Sequence, residues 1–417
     1  MKFLPFQGVR PMPERTGDVV SPPYDVINSE EAAALAEGKP HSFLHVVKPE
    51  IDLPEGTSMY DDIVYSTARD NLEKLINDGV MAQDGEAAYY IYQQIWGRHV
   101  QTGIVGAASV DDYDEGRIKK HEHTRQQKED DRARHVDTTS ANTGPVFLTY
   151  RAEETIDELV QAEIQDIPDI EIGQAGVLHR LWVITDEDQR NTLEQAFSGV
   201  DAFYVADGHH RSASGSRARA LRKGRNANHT GDESYNRFLA VVFPDRDLKI
   251  LAYNRLVADL NGLDAAGLVE AIKGAGFDVQ TCTDKEPAET GSFRMYLDGQ
   301  WYALVLSDDN IPSDDPVASL DVALLQDNLL APLLGVGDPR LDNRIAFAGG
   351  IRGTGYLEEQ VDAGNYGVAF SMVPTSIAQL IAVADSGEVM PPKSTWFEPK
   401  LLSGLVVHLL DGPKADA

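Results

Sequence analysis

Short apolar runs bounded by Gly, Pro and Asp recur along the chain, separated by amphipathic stretches with helical spacing. Runs at 87–96 and 99–110 flank Gly97-Arg98 and predict a hairpin. Runs at 146–150, 178–184, 203–206 and 366–372 predict buried strands. A second hairpin is predicted from 238–243 and 249–253 around Pro244-Asp245. Val19-Val20 before Pro22-Pro23 predicts a strand ending in a rigid turn, and 41–48 predicts another strand stopped by Pro49. Helices are predicted at 30–37 (capped by Asn28 or Ser29), 58–79, for about ten residues from near Arg125, 152–172, 186–197, after His209, and at 265–273, 316–334 and 375–385. Alternating strands at 292–297 and 300–306 meet at Asp298-Gly299. Strands interleaved with helices predict a mixed α/β (α+β) protein.

Composition narrows the function more than the fold. The 417 residues carry 37 Lys and Arg against 67 Asp and Glu, a formal charge of −30. Such a surface repels phosphate backbones and argues against nucleic acid as a partner. One cysteine, Cys282, leaves no intrachain disulfide and no cysteine-based zinc site. No apolar run approaches the roughly 20 residues that span a bilayer, and Pro5 interrupts the N-terminal apolar stretch, so the expected location is the cytoplasm, without membrane contact.

Against this acidity, Arg211, Arg217, Arg219, Arg222, Lys223 and Arg225 follow one another with no acid between them. They trail the densest cluster of reactive side chains, Asp207-Gly208-His209-His210-Arg211, at a strand-to-helix turn. Turns of this kind present backbone N–H groups to anions. A local positive field would suit a phosphorylated ligand; a solvated helix face balanced by acids elsewhere is the alternative for the outer arginines. Asp207, His209, His210 and Arg211 are the expected catalytic residues, with Gly208 admitting a phosphate close to the backbone. Further candidates for substrate or nucleotide binding are Tyr24 and Asp25 after the Pro22-Pro23 pair, Lys48 at a predicted strand end, and the charged stretch His121, Glu122, His123, Thr124, Arg125. Lys393, Ser394, Thr395 and Lys400, in a proline-braced loop with Trp396, join them as an anion-binding and base-stacking set. His-x-His spacing at 121–123 also suits a metal, but no third ligand is apparent and no resident metal is assigned. Neither a Walker-type phosphate loop nor a kinase-type glycine-rich loop is present.

The motifs SPPYDVI, KHEHT with the following K-x-D-D-R, NTGPVF, VADGHHR and PPKSTWFEPKLLSGLV together resemble domain-of-unknown-function family 1015 over essentially the full length. The DGHHR turn is similar to the signature of the ADP-dependent serine kinase, in the ParB/sulfiredoxin-like fold group. That resemblance implies a ParB/sulfiredoxin-like core with a mixed sheet over residues 1–260. A small α+β insertion would occupy 261–310, a part packing back on the core 311–411, and a frayed tail 412–417. It implies that His209, His210 and Arg211 hold phosphoryl oxygens and that Asp207 is an acid/base or metal-orienting carboxylate. It also implies an N-terminal glutamate, for which Glu14, Glu30 and Glu31 are all available. The expected activity is phosphoryl transfer between a nucleotide (ADP or ATP, with Mg2+) and a small hydroxylated metabolite, serine or O-phosphoserine first. A nucleotide-binding regulatory module and a metal-dependent hydrolase using His121, His123, His209 and His210 remain open.

Overall fold

The computed structural model describes residues 1–312 and 314–411. The chain folds as two compact units, Met1–Leu248 with Pro399–Ala417, and Lys249–Glu398. The tail 412–417, expected to fray, lies outside the described residues. Among the described residues no helix is long and apolar enough to cross a membrane.

The first unit is built on a mixed sheet. Its strands run in the order Ile118–Lys119, Phe203–Asp207, Val146–Tyr150, Arg237–Pro244, His99–Ser109, Tyr89–Trp96, Val177–Ile184, Ile170–Gln174, with Phe3–Leu4 also pairing with His99–Ser109. Phe203–Asp207 lies parallel to Ile118–Lys119 and antiparallel to Val146–Tyr150, which in turn runs parallel to Arg237–Pro244. Runs of Val, Phe and Tyr suit this setting because both faces are covered. One face packs Phe3, Tyr89, Tyr150, Phe197 and Phe203 into a single core with mostly edge-on ring contacts. A second, four-stranded sheet places Val407–Leu409 between Gly8–Pro11 and Ala141–Asn142, with Met81–Gln83 beyond Gly8–Pro11.

The second unit is an antiparallel sheet ordered Phe277–Thr281, Gln300–Leu306, Ser292–Leu297, Val368–Ser371, Tyr253–Val257, Ile345–Gly349. Leu357 of helix Gly353–Asp362 packs on Leu256, Tyr296, Trp301 and Ala369. Lys249–Leu251 pairs separately with Trp396–Glu398.

Several local expectations differ from what is observed, each for a tertiary reason. Residues 41–48 form a helix, Leu44–Val47, because Leu44, Val46 and Val47 are buried together with Phe43, Val19 and Leu72, overriding β-branched propensity. Val19 ends a one-turn helix, Thr16–Val19, and Ser21 then bridges Ser403. The hairpin of 238–243 with 249–253 does not form, since Arg237–Pro244 has both edges taken by His99–Ser109 and Val146–Tyr150. Within 152–172 the helix is Glu154–Glu163, and Ile170–Gln174 is a strand. Residues 316–334 hold a short α-helix, Asp321–Leu325, followed by a π turn, Gln326–Leu330. The divisions also differ from the expected cuts at 260 and 310. Tyr253–Val257 belongs inside the second sheet, so that unit starts at Lys249 and runs unbroken to Glu398.

Five of the eleven histidines, His121, His135, His179, His209 and His408, are buried, all in the first unit. Burial pushes His121, His135 and His179 down to about 4 and His408 to about 3, and holds His209 well below its ordinary range. The unfolded chain therefore takes up protons below about pH 6.5 that the folded unit refuses, and stability falls on acidification by about 1.4 kcal/mol per pH unit per histidine. In the second unit, burial pushes Asp321 up to about 6, so the folded form holds the extra proton and acidification towards pH 4 stabilises it. Hydrogen exchange followed by mass spectrometry at pH 7 and pH 5, corrected for intrinsic rates, is expected to show Phe203–Asp207 losing protection. Tyr253–Val257 should keep its protection or gain; equal losses in both strands would contradict this assignment.

Candidate functional site

The DGHHR turn begins with a register irregularity. Tyr204 and Val205 oppose Thr149 and Leu148, but Asp207 opposes Phe147, so the strand shifts at Ala206 and re-aims Asp207 at its end. Gly208 follows with φ +91°, left-handed geometry that a side chain resists, and a Cβ there would sit 3.5 Å from the Val146 backbone. Helix His209–Arg225 starts on this glycine without a side-chain cap. Its first-turn N–H groups and their partial positive charge thus face the turn.

Asp207 is the electrostatic centre. Its Oδ1 accepts the Gly208 N–H at 2.7 Å, and its Oδ2 accepts from Lys400 Nζ at 2.8 Å. Burial alone would raise its pKa; the Lys400 ammonium, the Arg211 guanidinium and these two hydrogen bonds outweigh burial and hold the carboxyl well below the usual range. Asp207 is an anion at neutral pH.

Beside it stand two buried imidazoles. The rings of His121 and His209 meet edge to face, centroids 4.5 Å apart. Both nitrogens of His121 and Nε2 of His209 lack a well-formed hydrogen bond, and His209 Nδ1 is 4.0 Å from the Glu122 carboxylate. The other three buried histidines are satisfied: His135 by the Val46 carbonyl at 2.9 Å, His179 by the Tyr92 hydroxyl at 2.7 Å, His408 by Asn142 at 3.1 Å. Buried polar atoms are normally paired, so these three poorly satisfied nitrogens, with the Val205 backbone as the remaining weak partner of His121, mark this turn. Burial, chiefly, keeps both neutral, against the pull of Asp207. Each then carries one N–H donor and one acceptor nitrogen. His210, half-buried and pushed down by burial, accepts the Arg125 N–H at 3.1 Å.

Arg211 points the other way. Its Nη2 donates to both oxygens of Asp25 at 2.7 and 2.6 Å, and its Nη1 to the Pro145 carbonyl at 2.8 Å. The guanidinium also lies 5.4 Å from the Tyr24 ring, which Arg132 approaches at 4.4 Å. Tyr24, Arg132, His135, Asn142, Arg211 and Ser403 line a cavity of about 30 Å³ here. Arg132 was not anticipated as part of the site. The signal was present in the K-x-D-D-R stretch, whose Asp131 accepts from the Tyr65 hydroxyl at 2.9 Å and pairs with Arg132 at 2.8 Å.

The remaining candidates have mixed placements. Thr124 donates to Glu129, which also pairs with Arg217 at 3.1 Å, tying the 121–125 stretch to the basic helix. Glu122 and His123 are exposed. Lys48 is buried against Glu50 at 3.1 Å. The outer arginines do not form an open positive field: Arg217 pairs with Asp130, Arg219 with Asp111 and Asp114, Arg222 with Asp137 and Asp411, Arg225 with Asp137. Their role is to lock the helix to acidic neighbours. Lys393, Ser394 and Thr395 belong to the second unit, where the Ser394 hydroxyl donates to Pro391 and its carbonyl accepts from Thr375. Among the described residues no group of three or more His, Cys, Asp or Glu side chains has the arrangement of a metal site.

The chain belongs to a family described as "Protein of unknown function (DUF1015)", whose model matches residues 3–323. No curated protein matches it. Among solved structures, one similar chain is a mutant of a free serine kinase in complex with AMP, at 15% identity over 73% of this chain and 90% of that one, TM-score 0.35. A second is SbnI with a C-terminal truncation from Staphylococcus aureus, at 13% identity over 72% and 85%, TM-score 0.36. A third is a conserved hypothetical protein from Pyrococcus furiosus, at 16% identity over 73% and 93%, TM-score 0.33.

Asp25→Asn removes the charge that the largely buried Arg211 depends on. Because Asp25 is itself partly exposed, the expected loss is about 1–3 kcal/mol rather than that of a fully buried pair. Urea unfolding should show a lower midpoint with an unchanged slope; an unchanged midpoint would contradict the role given to this pair.

Proposed function

We propose that the protein is a phosphotransferase moving a phosphoryl group between a nucleotide and a small hydroxylated metabolite, with serine or O-phosphoserine the first candidate. The observation that carries this reading is the pair of poorly satisfied, buried, neutral histidines beside an ionised Asp207 and Lys400. Imidazole N–H groups, an ammonium and an uncapped helix start form a donor set for phosphoryl oxygens. Gly208, left-handed at φ +91°, sets the direction in which the helix start meets the turn. The DGHHR resemblance points to the same chemistry.

Within this reading each group has a part. Lys400 and the histidine N–H groups stabilise charge on the transferring phosphoryl group. Asp207 orients the acceptor hydroxyl. Its lowered pKa makes it a weak base, which suffices where the transition state is loose and the hydroxyl keeps its proton until late. The hydroxyl oxygen bonds to phosphorus as the bond from phosphorus to the nucleotide oxygen breaks, and the released proton passes to the Asp207 carboxylate. Mg2+ would arrive on the nucleotide phosphates and neutralise part of their charge; oxygen ligands suit it, and Asp207 and Glu122 would offer carboxylates beside the two histidines. Arg211, occupied by Asp25, positions the turn.

The test is phosphorus NMR of the full chain with Mg2+ and serine plus ADP, ATP or pyrophosphate, and separately with O-phosphoserine. New phosphomonoester or released phosphate is expected in one of these mixtures. Lys400→Met is expected to lower kcat by about 10²–10³-fold, the scale for losing one donor to a developing anion. Nucleotide that protects the protein from heat while no mixture turns over would replace this reading with that of a nucleotide-binding regulatory module.

A further inference from the structure

Among the described residues, one charge buried in the second unit has no ion pair. Arg255 stands on strand Tyr253–Val257, directly opposite Phe347 on one neighbouring strand and Phe370 on the other. Opposed residues share a face of the sheet, so the guanidinium rises among aromatic rings. Its carbon lies 5.0 Å from the centre of Phe347. The residue is 4% exposed. Among the described residues its hydrogen bonding is confined to one bond, from Nη1 to the carbonyl of Tyr253 in its own strand.

Other well-covered arginines in the molecule have acids: Arg10 has Asp84, Arg211 has Asp25, Arg222 has Asp137, and Arg294 has Asp284. Arg255 makes no ion pair with a described residue. Burial pushes its pKa down to about 10, the direction expected for a cation without a counter-ion. A guanidinium stays charged under these conditions, and an isolated buried charge is among the least favourable arrangements a core can hold.

A second cation approaches the same tyrosine. Lys393 Nζ lies 5.5 Å from the Tyr253 ring, on a backbone held at φ +59°. Trp396 closes over Gly349, where a Cβ would come within 2.8 Å of the indole, and meets Tyr253 edge-on at 5.3 Å. Glu398 accepts the Trp396 indole N–H at 2.8 Å. Tyr253, Phe347 and Trp396 thus border two cations, the buried one having no ion pair among the described residues.

We propose that Arg255 and Lys393 bind an oxyanion, the carboxylate or phosphate group of a small metabolite, with Tyr253, Phe347 and Trp396 as its apolar walls. The planar fork of Arg255 matches either group. Lys393 adds a second charge from the exposed side.

Thermal unfolding of the full chain in sodium phosphate or sodium acetate, at constant ionic strength, tests this. Without either anion, Arg255→Met is expected to unfold at a higher temperature than the wild type, because a side chain of similar length no longer buries a charge. As phosphate or acetate is raised, the wild type gains more than the variant until their order reverses. Lys393→Gln, an exposed change, should keep the anion-free midpoint and move the reversal to several-fold higher concentration. A reversal with phosphate alone assigns a phosphate group, and one with acetate alone a carboxylate. A difference between wild type and Arg255→Met that ignores both anions overturns the proposal. So does an Arg255→Met protein less stable than the wild type before any anion is added, or a Lys393→Gln reversal at the wild-type concentration.

Discussion

The ion pair between Asp207 and Lys400 joins residues 193 positions apart, and the first unit is arranged around it. A carboxylate at the end of a buried strand is unfavourable unless cations and N–H donors surround it. Gly208 supplies a donor from one side only because its left-handed backbone turns the helix start toward the carboxylate. Lys400 supplies the other from a segment that returns to the first unit after the whole second unit has intervened. Once Asp207 is held as an anion, the nearby imidazoles stay neutral through burial, and Arg211 is left to pair with Asp25. Charge is thus sorted across the turn: anion and ammonium in one place, neutral donors next to them, a closed guanidinium–carboxylate pair beyond.

Most of the strands were legible because period and boundary agree. The runs 146–150, 178–184 and 203–206 are mainly apolar, interrupted only by Thr149 and by His179-Arg180, and each became a strand of the mixed sheet. Failures occurred where tertiary contacts override local preference. His41–Pro49 reads as a strand because of Val46-Val47, yet those valines fill a core that a helical turn reaches better. The pairing of Arg237–Pro244 was unreadable, since nothing local says that both its edges are wanted by distant strands.

Site residues divide in the same way. Asp207 through Arg211 are contiguous, and a dense cluster of ionisable groups at a strand-to-helix turn is visible without a structure. The approach of Lys400 could be suspected only from its proline-braced loop. The K-x-D-D-R stretch marks Arg132, but its stacking on Tyr24 depends on a helix packing across the N-terminal turn, which no spacing encodes. The outer arginines were misleading for a physical reason. A run of cations attracts attention in a chain of charge −30, but that excess of acid is also what neutralises them.

The first unit is assembled from both sides of the second, and this bears on the order in which a newly made chain can become functional. Val407–Leu409 lies between Gly8–Pro11 and Ala141–Asn142, so the four-stranded sheet cannot close until those residues have left the ribosome. The 193 positions between Asp207 and Lys400 separate the turn from its ammonium partner by about 10–40 s at ordinary elongation rates. During that interval Asp207 has no Lys400, and the strand order around it lacks its final brace. The turn therefore matures last, and a chain stalled anywhere in the second unit carries the DGHHR residues without their electrostatic setting.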